Sequence, residues 1–142
     1  MIILDTNVLS ALIRQGPDPD PVILSWLDRQ APMSVWTTSL TMLEIRYGLA
    51  VMPVGRRRAV KLAVFERFLE EDLEHRVLPF DNAAAEHAAA LMEVRHRAGR
   101  PRELRDTMIA GIALAQRATL ATRNVRHFDD LNVPIVDPWQ GR

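Results

Sequence analysis

Met1-Ile2-Ile3-Leu4-Asp5-Thr6-Asn7 opens the chain. Ile2, Ile3 and Leu4 form a short apolar run rich in β-branching, the pattern of a strand buried on both faces of a parallel sheet. Asp5 ends that run, and Val8 to Ile13 then follows helical rather than alternating spacing. The spacing fixes a carboxylate at the carboxyl end of the first, central strand, the edge along which open α/β sheets bind ligands. By itself Asp5 also reads as the N-cap of the helix behind it.

Working outward, residues 33–38, 76–80, 119–122 and 133–136 carry further strand signals, and Pro134 pushes the last of them to the sheet edge. Helical spacing covers residues 21–28, 40–51, 82–98 and 103–115, with Pro21 at a first helical position, Ser39 expected as the cap of Leu40 to Val51, and Asp81 as the cap of the alanine-rich helix. The order β-α-β-α-β-α-β-β predicts a three-layer α/β/α domain around a mostly parallel central sheet. Residues 15–21, with three prolines, form a loop with the character of a flap. Arg56 to Glu74 is a long amphipathic segment, expected to pair with Leu40–Val51 as a projecting αα-hairpin. Its opening Arg56-Arg57-Arg58 is a solvated face or a basic cluster suited to a phosphate backbone.

Composition narrows the function. The 142 residues suffice for one domain, residues 1–142, with a core that needs no staples. The absence of cysteine removes disulfides, thiolate nucleophiles and cysteine zinc sites and fits a reducing cytoplasm. No apolar run approaches the roughly 20 residues that cross a bilayer, and no secretory leader opens the chain, so a cytoplasmic protein without a membrane part is expected. Lys plus Arg equals Asp plus Glu, 18 against 18, so a polyanionic partner must be met by a local basic patch. His87 and His96 lack metal-ligand spacing, and no HExxH occurs.

Three acids keep company with one another. Leu40, Leu43, Tyr47 and Val51 mark a core-facing stripe, and Glu44 falls along it, a costly place for a carboxylate unless it is paired, neutral or bound to a cation. Arg46 is the nearest structural partner in sequence. Asp106 begins the helix at residues 103–115, where the helix dipole alone accounts for an acid. Asp5, Glu44 and Asp106 nevertheless all lie where strand ends and helix starts converge. Like charges about 4 Å apart repel by about 4 kcal/mol at an effective dielectric near 20, so such a cluster calls for protons or a cation. Oxygen ligands alone select a hard ion, magnesium or manganese in its place, and the natural chemistry is attack of a metal-activated water on phosphorus. There is no Gly-rich phosphate loop, no GxSxG and no Ser-His-Asp arrangement.

These residues resemble the motifs of PIN-domain nucleases. Residues 3–10 (ILDTNVLS) resemble the opening motif, residues 41–48 (TMLEIRYG) the second, residues 105–110 (RDTMIA) the third and residues 121–128 (ATRNVRHF) the fourth, while residues 133–139 (VPIVDPW) resemble the end of the VapC-like toxin branch. The resemblance spans essentially the whole chain with the motifs in order. It implies a PIN-like fold and a magnesium-dependent endoribonuclease that is the toxin of a type II toxin–antitoxin pair. Asp5, Glu44 and Asp106 would be catalytic, with Asp5 and Asp106 as direct metal ligands. It further implies an RNA substrate, a homodimer and silencing by a VapB-like antitoxin. The fourth motif departs from the pattern: Asn124 stands where another acid is common, which puts a second metal in doubt, and Asp129 is the nearest substitute. Two alternatives compete. A non-catalytic PIN-like module would hold RNA or protein without cutting. A haloacid-dehalogenase-like phosphatase also begins with a strand-end Asp, but needs a second Asp where Asn7 stands.

Overall fold

The computed structural model describes residues 1–14 and 20–140; most of the expected flap at 15–21 lies outside the described residues. Five strands, β1 (Ile2–Leu4), β2 (Val35–Thr38), β3 (Val77–Leu78), β4 (Thr119–Ala121) and β5 (Ile135–Val136), form one sheet in the order β3-β2-β1-β4-β5, with every pairing parallel. β1 is central, as its uninterrupted apolar run requires, and β5 lies at the edge behind Pro134.

Side chains alternate across a strand, and β1 shows the consequence. Ile3 and Leu4 are both fully buried yet belong to two different cores. On Leu4's side pack helices α1 (Thr6–Leu12), α2 (Pro21–Asp28), α3 (Ser39–Val51) and α4 (Arg56–Arg67), with Phe65 fully buried. On Ile3's side lie α5 (Asn82–Arg97) and α6 (Leu104–Gln116). Gly111 lets these two helices meet. A Cβ there would stand 2.5 Å from the Ala84 carbonyl oxygen and 2.8 Å from the Ala88 methyl. The three-layer α/β/α architecture follows from these two cores.

Local chemistry accounts for the helix ends. Asp20 accepts from the Val22 amide with Pro21 at the first position of α2, and Asp81 accepts from the Ala84 amide at 2.9 Å. At α3 the cap is Thr38 rather than Ser39: Thr38 accepts from the Thr41 amide, while Ser39 Oγ accepts from the Phe80 amide at 3.2 Å and ties the ends of β2 and β3 together. The expected core stripe of α3 is also displaced. Leu43, Tyr47 and Val51 are more than half exposed, and the buried face is Leu40, Thr41, Ile45 and Leu49. Both stripes obey helical spacing. Thr41 is polar by type but engages other hydroxyls, which is why it can face inward. The long segment after α4 does not continue as one helix but widens into a π-helical turn over Phe68–Asp72, and Arg46 ties α3 to α4 through Glu66 at 3.0 Å. No helix among the described residues is long and apolar enough to cross a membrane.

Candidate active site

β1, β2 and β4 all deliver their carboxyl ends to one edge of the sheet, and the three acids meet there. Asp5, Thr6, Asn7, Glu44, Asp106 and Asn124 line one open cavity of about 210 Å³. Asp5 comes from the end of β1, Glu44 from α3, Asp106 from the first turn of α6 and Asn124 from the turn after β4.

Asp5 is 4% exposed, and among the described residues its hydrogen-bond donors are all neutral. The Thr6 amide donates to Oδ1 at 2.8 Å and the Thr122 hydroxyl to Oδ2 at 2.7 Å. The capping role expected of Asp5 therefore exists alongside its place in the cavity. Burial pushes its carboxyl above the ordinary Asp value; the bonds from Thr122 and Thr6 oppose this, and the charges of Asp106 and Glu44 add to it. Asn7 braces the same corner by accepting the Arg123 amide at 3.1 Å on Oδ1.

Glu44 sits at the border of the buried face of α3, its side chain 27% exposed, not on the core stripe itself. Arg46 does not pair with it, being held by Glu66. Thr6 Oγ1 donates to Glu44 Oε1 at 2.9 Å and lies 3.1 Å from Thr41 Oγ1. A hydroxyl has one proton, so Thr41 must donate to Thr6, and the run of hydroxyls ends on the carboxylate. The cation nearest Glu44 is Arg105, at 3.9 Å and half exposed, a contact worth little.

Asp106 is held from two sides. Its backbone amide donates to the Glu103 carboxylate, the N-cap of α6, at 2.9 Å. This bond is the main reason Glu103 titrates below its ordinary value. On its side chain, His127 Nδ1 lies within hydrogen-bonding distance of Oδ2, at 2.8 Å. His127, Arg102, Glu103 and Arg126 border a second recess of about 320 Å³ that shares Asp106 with the first.

Asn124 lines the cavity, and its amide donates to Thr122 Oγ1 at 3.0 Å. Asp129 does not substitute for an acid there, because it accepts from Arg102 at 3.0 Å. Among the described residues no three acid or imidazole side chains stand close enough to cage a metal ion. A further recess, at the amino end of β2 between Leu27, Val35, Phe68 and Leu73, lies at the opposite end of the sheet from the acids.

Sequence reading found the three acids and Asn124 but not Thr6, Thr122 or His127 as their supports. Each is a neighbour or member of a recognised motif, yet its partner lies 21 to 117 residues away.

Comparison with known proteins agrees with this geometry. The PIN domain model matches residues 2–133. The chain is 36% identical over 140 residues to a VapC ribonuclease of Sinorhizobium fredii, covering 99% of both chains. It is 31% identical over 139 residues to the toxin FitB of Neisseria gonorrhoeae, covering 98% of this chain and 99% of that one. The crystal structure of FitAcB from Neisseria gonorrhoeae superposes with a TM-score of 0.82 at 31% identity, covering 98% and 99% of the two chains. The phosphatase alternative falls away. The chain belongs to the PIN-domain family, in the branch of the VapC and FitB toxins.

Proposed function

We propose that this protein is a metal-dependent endoribonuclease, the toxin of a type II toxin–antitoxin pair, which hydrolyses RNA phosphodiester bonds in the cavity of Asp5, Glu44 and Asp106. The observation that carries the proposal is Asp5: a buried carboxylate with only neutral donors, its pKa raised by burial and by two further acids. A buried carboxylate beside two more acids, with no cation among its donors, is an arrangement that a bound metal ion neutralises. The name of the Sinorhizobium relative supports the ribonuclease and that of the Neisseria relative supports the toxin.

The donor set is oxygen only and too open for an all-protein cage. It suits magnesium, or manganese in its place, which keeps several waters and shares its shell with substrate phosphate oxygens. Asp5 and Asp106 are the residues that would hold it. When bound, the ion supplies an acidified water and neutralises charge at phosphorus.

The chain's own residues prepare the rest. Thr122 and the Thr6 amide fix both oxygens of Asp5, His127 fixes one oxygen of Asp106, and Thr6 holds Glu44 Oε1, so that Oε2, with only the loose contact to Arg105, is the oxygen to orient the attacking water. Asn124 offers an amide to water or to phosphate where a fourth acid would repel it.

A VapB-like antitoxin and a cytoplasmic setting follow from the toxin reading. The exposed stripe of Leu43, Tyr47 and Val51 on α3 supports a homodimer, since an apolar helix face of this kind is what partners cover. The second reading is a PIN-like module that holds RNA or protein without cutting, favoured by Asn124 and by the lack of a three-ligand cage.

Purified protein free of antitoxin, incubated with cellular RNA and magnesium beside Asp106→Asn and a chelator control, separates them. The nuclease yields discrete fragments only with metal and intact Asp106. Identical RNA patterns from folded wild type and variant would leave the binding module.

A further inference from the structure

The acidic cavity does not end at the acids. Thr6 and Glu44 also line a recess of about 160 Å³ between α1 and α3, together with Ser10, Met52 and Lys61. Ser10, Met52 and Lys61 in turn border a recess of about 300 Å³ with Arg14 and Arg57. The three cavities share walls in sequence and form one groove with opposite ends of opposite charge.

The far end is wholly cationic: its charged members are Arg14, Arg57 and Lys61. Among the described residues none of them pairs with a carboxylate, whereas Arg95, Arg97 and Arg102 each hold one. An independent observation points the same way. Arg56, Arg57 and Arg58 fill the first turn of α4, which has neither an acid nor a side-chain cap. A helix amino end carries partial positive charge, so cations there weaken the helix. An anion seated against that turn reverses the penalty.

A single anion would need only the cluster. The continuity of the groove with the acids indicates a chain of anions. Thr6 and Ser10 stand one turn apart on α1, about 6 Å. The basic end therefore lies a few nucleotides from the acids, given a rise of about 3.4 Å per nucleotide along a stacked strand.

We propose that this groove carries the single-stranded flank of the RNA away from the cleavage site, with Arg14, Arg57 and Lys61 on its phosphates. The proposal rests on the nuclease reading above. Contacts of this kind set register and affinity without reading sequence, and they are steeply salt-dependent.

The test uses the Asp106→Asn protein, a labelled single-stranded oligoribonucleotide and fluorescence anisotropy across a potassium chloride series. Arg57→Ala and Lys61→Ala are each expected to lower the slope of log affinity against log salt by about 0.7, and the double variant by about twice that. Arg57→Lys should keep the slope. Arg97→Ala, an exposed residue of α5 paired with Glu93, should leave it unchanged.

Arg57 is exposed and Lys61 partly so, and circular dichroism verifies that the variants fold. An unchanged slope in the folded double variant would overturn the proposal. So would weakened binding of polyglutamate with RNA binding intact, which assigns the groove to an acidic protein segment instead. Wild type that binds RNA through these residues but never cuts it with magnesium overturns the nuclease and leaves the groove standing. Cleavage with an unaltered slope does the reverse.

Discussion

Asp5 and Arg95 are buried to nearly the same degree, 4% and 3% exposed, and their surroundings could hardly differ more. Arg95 holds both oxygens of Asp130, at 2.8 and 2.9 Å, and donates to the Thr107 hydroxyl and the His127 carbonyl as well. Its charge is matched, and the contact with Arg95 draws Asp130 below the ordinary Asp range. Asp5 has hydroxyl and amide donors but no countercharge among them, and its carboxyl is pushed the other way. A buried charge with its partner built in braces the fold between α5 and the turn after β4. A buried charge without one is an expense kept for a ligand.

The largest effect that sharpens this contrast is on chemistry. Asp5→Asn keeps the size of the side chain and an oxygen for the Thr6 amide, so the fold should survive while RNA cleavage falls by about 10²-fold or more. Single-turnover cleavage beside near-ultraviolet circular dichroism measures both, and a rate within a few-fold of wild type would break the contrast. Arg95→Met should do the converse. It removes the two-point contact to Asp130 and the donor to Thr107 and the His127 carbonyl, leaving Arg102 as the cation beside Asp130, and costs about 1–3 kcal/mol in urea unfolding, with far less loss of cleavage per folded molecule.

Magnesium should raise the thermal midpoint of the wild type, by the equivalent of about 2.7 kcal/mol at 100 times its dissociation constant. It should leave Asp5→Asn unmoved. Equal shifts in the two proteins would place the ion elsewhere.

The smallest effect is the dependence of stability on pH, and its two signs are opposed. Asp5 has a native pKa above the unfolded value, so the native state holds the extra proton in the window from about 3.8 upward. Stability is lost there as pH rises, and Asp5→Asn should abolish that loss in metal-free protein. Asp130 has a native pKa below the unfolded value. Its contribution is complete above about 3.8 and lost as pH falls through the lowered native value, so Asp130→Asn should flatten the acid limb. Urea melts across pH, with chelator present, read both.

The legible parts of the molecule were those whose chemistry is local. Ile2-Ile3-Leu4 followed by Asp5 needs only its own pattern to declare a buried strand with a carboxylate at its end, and Asp81 and Pro21 declare helix starts in the same way. Glu44 was placed in the right company but on the wrong line of its helix, because hydropathy cannot choose between Leu40-Leu43-Tyr47-Val51 and Leu40-Thr41-Ile45-Leu49. A threonine counts as polar until its hydroxyl finds a partner, and Thr41 finds one 35 residues away in Thr6. His127 and Thr122 were hidden for the same reason. The hydrogen bonds that give them meaning reach partners distant in sequence, 117 residues away for Thr122 and 21 for His127. The π-helical turn at Phe68–Asp72 likewise rests on packing, since Phe68 and Leu69 continue the helical spacing while the backbone widens to bury them.

The bond from Thr122 to Asp5 spans 117 residues and closes a sheet whose central strand is made long before the β4 that pairs with it. During synthesis the ribosome thus releases the amino-terminal acid long before its brace exists. A nascent chain stalled before β4 lacks the hydroxyl that fixes Asp5, the asparagine of the cavity and the histidine on Asp106. On the ribonuclease reading proposed above, a chain stalled or truncated before β4 carries its three acids without these supports and is expected to cut no RNA.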